Sequence, residues 1–141
     1  LYRALVVSQA SAVGVGSWYW SDALDMGQFG LYAVPAEGVS LPDLDAAMET
    51  VLAEFREADV TPAELSRART RLIADMVYAQ DSQAHLARMV GSTLTTGGKI
   101  EDLAQWSERI RQVSAADIRR VANRYLAPGK AVVGHLTKAA A

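Results

Sequence analysis

Leu1, Tyr2, Leu5 and Val6 recur at spacings that share one helical face, which predicts a helix over about residues 1–8. Two stretches rich in β-branched and aromatic residues follow: SAVGVGSWYW, then a turn through SDALDMG, then QFGLYAVP, halted by Pro35. They predict an antiparallel hairpin over about residues 11–34. Trp18 and Trp20 should face one side of it and Tyr19 the other, because side chains alternate along a strand. After the AEG turn the apolar period lengthens. Ser40 stands where a helix cap is needed, with Asp43 at the third helical position, and Leu44, Met48, Val51, Leu52 and Phe55 form one stripe that ends near Asp59.

The next start signal is VTPAEL, in which Thr61 is the cap, Pro62 sits at the first helical position where its missing donor does no harm, and Glu64 can close a capping box. Between Pro62 and Thr95 there is no further proline and no glycine before Gly91, so the pattern allows one long helix or two joined by a kink. TTGGK breaks it. Ile100, Leu103, Trp106, Ile110 and Val113 then mark another helix, and a last one starts at Ser114 with Asp117 three residues on and Ile118, Val121, Ala122 and Tyr125 as its stripe. Helices are thus expected over about 41–126, a final strand over about 131–136 in AVVGHL, and a frayed Ala-rich tail. The expected fold is α+β, an antiparallel sheet with helices packed on one face, in a single partial domain over residues 1–141.

Composition narrows the function classes. The 141 residues are 50% hydrophobic and 21% charged, enough to bury one core and too few for two comfortable ones. A net charge of −2 with interspersed signs leaves no basic stripe for a phosphate backbone, so nucleic acid is not an expected partner. No apolar run approaches the roughly 20 residues that span a bilayer, and the first residues lack the pattern of a signal peptide. Zero cysteines excludes disulfides, thiolate ligands and a cysteine nucleophile without choosing a compartment.

Candidate chemistry is thin. His85 and His135 fall on different predicted elements, whereas a catalytic zinc site gathers several His and carboxylate ligands, often with two histidines one helical turn apart. Asp81 and His85 are four apart and would share a helix face, which permits a hydrogen bond but reads best as a surface pair. His135 reads as structural. Gly14-Val15-Gly16 lacks the third glycine and the strand-to-helix setting of a phosphate cradle, and Ser8, Ser11 and Ser17 have neither an elbow motif nor a neighbouring base. The acidic pairs of FREAD and EDLAQWSE are solvated helix faces. No catalytic, cofactor-binding or metal-ligating residue is assigned.

Taken together, LYRALVVSQASAVGVGSWYW, VTPAELSRARTRLIADMVYAQDS, AQWSERIRQVSAADIRRVANRYLAP and AVVGHL resemble the C-terminal homologous domain of the pitrilysin or insulinase-type zinc metallopeptidases, the group that includes mitochondrial processing peptidase and its bacterial relatives. The resemblance covers nearly the whole chain. It implies two related α+β domains enclosing a chamber for extended peptides, with the His-x-x-Glu-His zinc motif and a distal Glu in an N-terminal domain; nothing in this chain matches that motif. It also implies that Leu1 stands within a helix, with the start of the domain and the zinc domain upstream.

In that family, an Arg near the end of the first helix and a Tyr seven residues later complete a substrate site. Alignment puts Val6 and Val13 at those positions, and a register using Arg3 would put Ala10 where Tyr should be. The pair is incomplete either way, which fits a zinc-bearing chain whose partner supplies it, or a degenerate homologue. The implied function is a non-catalytic, chamber-forming domain of a zinc-dependent metalloendopeptidase, and the alternative is a structural or assembly subunit without peptidase activity. The implied cofactor is zinc outside this chain. The implied partners are its own N-terminal zinc domain or a homologous subunit, and a peptide substrate; the implied compartment is bacterial periplasm or cytoplasm. A hairpin stripped of neighbours further predicts self-association through the opening helix and strands.

Overall fold

The structure, a computed structural model, describes residues 1–137; the Ala-rich tail lies outside the described residues. The fold is α+β. A two-stranded antiparallel sheet pairs β1 (Ala12–Trp20) with β2 (Gln28–Pro35), and five helices follow: α1 (Leu41–Glu57), α2 (Pro62–Ala79), α3 (Gln83–Thr95), α4 (Ile100–Gln112) and α5 (Ala115–Tyr125). Although the sequence carries no linker, the chain gathers into two compact units whose boundaries fall at Ser17, Gly30, Asp59 and Ile118, three of them inside β1, β2 and α5.

The first unit comprises, among the described residues, Leu1–Ser17, Leu31–Asp59 and 119–137. The opening segment is a π-helix, Tyr2–Ser8, in which the amide of Gln9 donates to Ala4 O at 2.9 Å, one residue further back than in an α-helix. Its end is closed by Ala10 at φ 50°, a left-handed conformation that lets Ser11 N reach Leu5 O at 2.9 Å. The core sits immediately beside this turn. Leu5, Ala12 and Leu44 are buried together, with Leu1, Val6, Val15, Ala33, Val39, Ala47, Met48 and Val51 packed around them. Helix α1 therefore lays the Leu44–Met48–Val51 stripe read from the sequence against the π-helix and the base of the hairpin. Ser40 caps it by accepting from Asp43 N at 3.2 Å.

Helix α5 is held to the end of α1 by polar contacts. Arg56 donates to Leu126 O at 2.5 Å and to Glu49 Oε1 at 2.9 Å, Asn123 Nδ2 donates back to Arg56 O at 2.9 Å, and Arg119 meets Asp59 at 3.6 Å. Residues 131–137 follow as irregular chain, correcting the strand expected over 131–136. The described sheet has two strands, and AVVGHL pairs with neither of them. His135 Nε2 instead meets Asp45 Oδ2 on α1 at 2.6 Å.

The second unit comprises Trp18–Gly30 and Val60–Ile118. Thr61 and Glu64 form the reciprocal capping box of α2: Glu64 N donates to Thr61 Oγ1 at 3.3 Å and Thr61 N to Glu64 Oε2 at 3.0 Å. The expected helical run over 62–95 is broken after Ala79, where Asp81 N and Ser82 N fold back onto Tyr78 O and Ala79 O, and Ser82 caps α3 by accepting from His85 N at 3.3 Å. Gly97, at φ 87°, ends α3 in the left-handed region that glycine alone occupies cheaply. Helices α2 and α3 both pack on α4. None of the three contains a fully buried residue.

Candidate functional site

The residues singled out in the sequence are dispersed. Asp81 lies in the turn before α3 and His85 inside it, so the two do not share a helix face as expected; the Ser82 cap separates them. His135 is tethered to Asp45 in the first unit. Among the described residues, no three His, Cys, Asp or Glu side chains stand close enough to hold a metal ion. No described helix is long and apolar enough to cross a membrane.

Val6 packs against the Leu5 core and Val13 is exposed on β1, so the two positions aligned with the family's Arg and Tyr offer only hydrocarbon. Ser11 Oγ donates to Leu5 O at 3.2 Å and serves the helix end. Gly14 and Gly16 lie within β1, and Gly16 has a packing reason to be glycine: a Cβ there would come within 2.4 Å of the Tyr32 ring.

The same device recurs at the tip of the hairpin. A Cβ on Gly30 would fall 2.2 Å from Trp18 Cε2, so the indole packs closely against the bare backbone of the partner strand. Trp18 and Trp20 share a side, as strand alternation requires, with ring centroids 5.0 Å apart and planes tilted by 46°. This tip is apolar and open: Trp20 is 66% exposed, Leu24 86% and Met26 84%, with Tyr19 and Phe29 also exposed. A shallow cavity of about 350 Å³ is lined by Tyr19, Trp20, Ser21, Asp22 and Ser92.

A second cavity, about 470 Å³, lies along α2 and is lined by Ser66, Arg69, Thr70, Ile73, Ala74 and Arg111. Arg69 donates through a terminal nitrogen to Val113 O, while its buried Nε has no acceptor. Sequence reading passed over this cluster. Its signal is the spacing of Ser66, Arg69, Thr70, Ile73 and Ala74, which puts two hydroxyls, a guanidinium and two apolar groups on one face, but Arg111 joins only through folding. On the surface of α4, the Arg109 guanidinium and then the Lys99 amide hold the Asp102 carboxyl below its ordinary pKa.

Comparison with known proteins places these surfaces in a family context. No family profile matches the chain. In sequence it is 35% identical over 104 residues to a probable mitochondrial-processing peptidase β subunit of Arabidopsis thaliana, covering 72% of this chain and 19% of that protein. It is 32% identical over 125 residues to an uncharacterized zinc protease of Rickettsia bellii, covering 87% of this chain and 30% of that protein. The chain thus spans less than a third of the length of these curated relatives. In fold it is similar to a protease from Helicobacter pylori, with TM-score 0.78 and 20% identity over 89% of this chain and 30% of that one. It is equally similar to the inactive peptidase domain of a proposed zinc protease from Bordetella parapertussis, with TM-score 0.78 and 19% identity over 99% of this chain and 75% of that one. Sequence relatives and fold neighbours agree with the motifs quoted above: the chain belongs to the pitrilysin/insulinase-type zinc metallopeptidases, and its fold is consistent with that of their C-terminal domain.

Proposed function

We propose that the chain is a non-catalytic, chamber-forming domain of a zinc-dependent metalloendopeptidase, which helps to enclose a peptide substrate and docks on its own zinc domain or on a homologous subunit. The supporting observation is the apolar patch at the hairpin tip, where Trp20, Leu24 and Met26 are exposed, the kind of surface that domain or subunit contact covers.

Zinc analysis after dialysis, paired with cleavage of a fluorogenic peptide, tests the reading. The 141-residue chain alone should hold no stoichiometric zinc, cut nothing and scatter light as an oligomer that dissociates on dilution. The full-length gene product, or its reconstituted pair, should bind zinc and cleave in a chelator-sensitive way. A full-length product that neither binds zinc nor cleaves, alone or with a homologous partner, would assign the chain to a structural or assembly subunit instead.

A further inference from the structure

The groove along α2 carries a charge arrangement that the chamber-forming role does not use. Ser66, Arg69, Thr70, Ile73 and Ala74 line it from α2, and Arg111 closes it from the last turn of α4, around a space of about 470 Å³. That volume lies within the range of small-molecule sites, roughly 300–1,000 Å³. Its cations are poorly neutralised. Among the described residues, Arg69 has only the neutral Val113 carbonyl as a partner and keeps a buried Nε–H without an acceptor. Arg111 meets Glu108 at 3.3 Å with both side chains more than half exposed, a pairing that solvent screens. Ser66 and Thr70 add hydroxyl donors, and Ile73 and Ala74 supply an apolar wall.

We propose that this groove binds a small organic carboxylate, with Arg69 and Arg111 holding the anionic head, Ser66 and Thr70 donating to it, and Ile73 and Ala74 contacting a short apolar tail. A guanidinium presents its donors in a planar fork that matches two carboxylate oxygens, and such charge-assisted bonds are the strong ones. The apolar wall selects an organic acid over inorganic phosphate, which has no tail to bury. Two sources share this chemistry: the C-terminal end of a short peptide, and a free short-chain acid.

Calorimetric titration of the full-length gene product separates them, with N-acetyl-dialanine, its C-terminal amide, butyrate and inorganic phosphate as probes. The carboxylates should bind at least tenfold more tightly than the amide and than phosphate, with affinity falling as salt rises. A preference for the acetyl-dipeptide over butyrate would identify the peptide end, and equal binding the free acid. Arg69→Gln should weaken binding at least tenfold. Because that change also removes the Val113 contact, Arg111→Gln and Thr70→Val on the exposed rim serve as independent variants, each expected to weaken binding severalfold with helicity unchanged. Equal binding of acid and amide, tighter binding of phosphate, no binding of any probe, or affinity indifferent to Arg111→Gln and Thr70→Val would overturn the assignment.

Discussion

Arg56 offers the sharpest test of how the first unit is held together. It stands in the last turn of α1 with its side chain only 13% exposed, and reaches Leu126 O at 2.5 Å and Glu49 Oε1 at 2.9 Å, where Glu49 is 50% exposed. Replacement by Met keeps the length and the apolar stem but removes the fork. A hydrogen bond made by a charged group away from water contributes about 1.5–3 kcal/mol. The half-exposed Glu49 contact contributes only about 0.2–1 kcal/mol, and the favourable position of a cation at a helix C-terminus about 0.3–1 kcal/mol. Arg56→Met should therefore cost about 2–5 kcal/mol, whereas Glu49→Gln should cost under about 1 kcal/mol. Urea unfolding followed by far-ultraviolet circular dichroism, at one fixed protein concentration, reads both. With a slope of about 1–2 kcal/mol/M, the Arg56 variant's midpoint should fall by at least about 1 M at unchanged slope. If the two variants shift the midpoint equally, the bond to Leu126 contributes nothing of its own and α5 is held by something other than this contact.

Three further outcomes follow from local structure. Leu5, at 0% exposure, is the best-buried side chain of the core, so Leu5→Ala should destabilise by about 2–5 kcal/mol in the same assay; a loss below about 1 kcal/mol would mean that the π-helix does not anchor that core. Ala10 holds a left-handed φ of 50°, and Ala10→Gly should raise stability by a few tenths to about 1 kcal/mol, a net loss disproving strain at that turn. Asp102 has its folded pKa depressed, chiefly by Arg109, so its contribution is present above the unfolded value and is lost as pH falls through the folded one. Stability profiles of wild type and Asp102→Asn should accordingly differ at neutral pH and converge in acid; a constant gap across the titration would contradict the ion pair.

What could be read ahead of the structure was local chemistry. Thr61, Pro62 and Glu64 specify a helix start among themselves, because the two reciprocal hydrogen bonds of the capping box close within one turn. The Trp18 and Trp20 side followed from strand alternation alone. The break at Ala79–Gln83 was harder, since no glycine or proline marks it; the only signal is Ser82, whose hydroxyl competes for the backbone as a cap. The Arg69 and Arg111 groove was out of reach, because it needs two helices brought side by side.

The strand-like run at 131–136 is the instructive failure. Val132 is 101% exposed and Leu136 96%, so an apolar pattern is present and this chain does not bury it. Hydrophobic patterning reports that a surface is meant to be covered, and is silent about which chain covers it. At the hairpin tip the same reasoning applies to Trp20, Leu24 and Met26: Trp18 packs against Gly30 and Trp20 against Trp18, yet Trp20, Leu24 and Met26 remain open. Both segments carry a pattern suited to burial in a larger assembly. The proposed role, a domain that lines a chamber and leans on a neighbour, would account for this pattern: local structure is complete in capping and turns, while these apolar segments stay open.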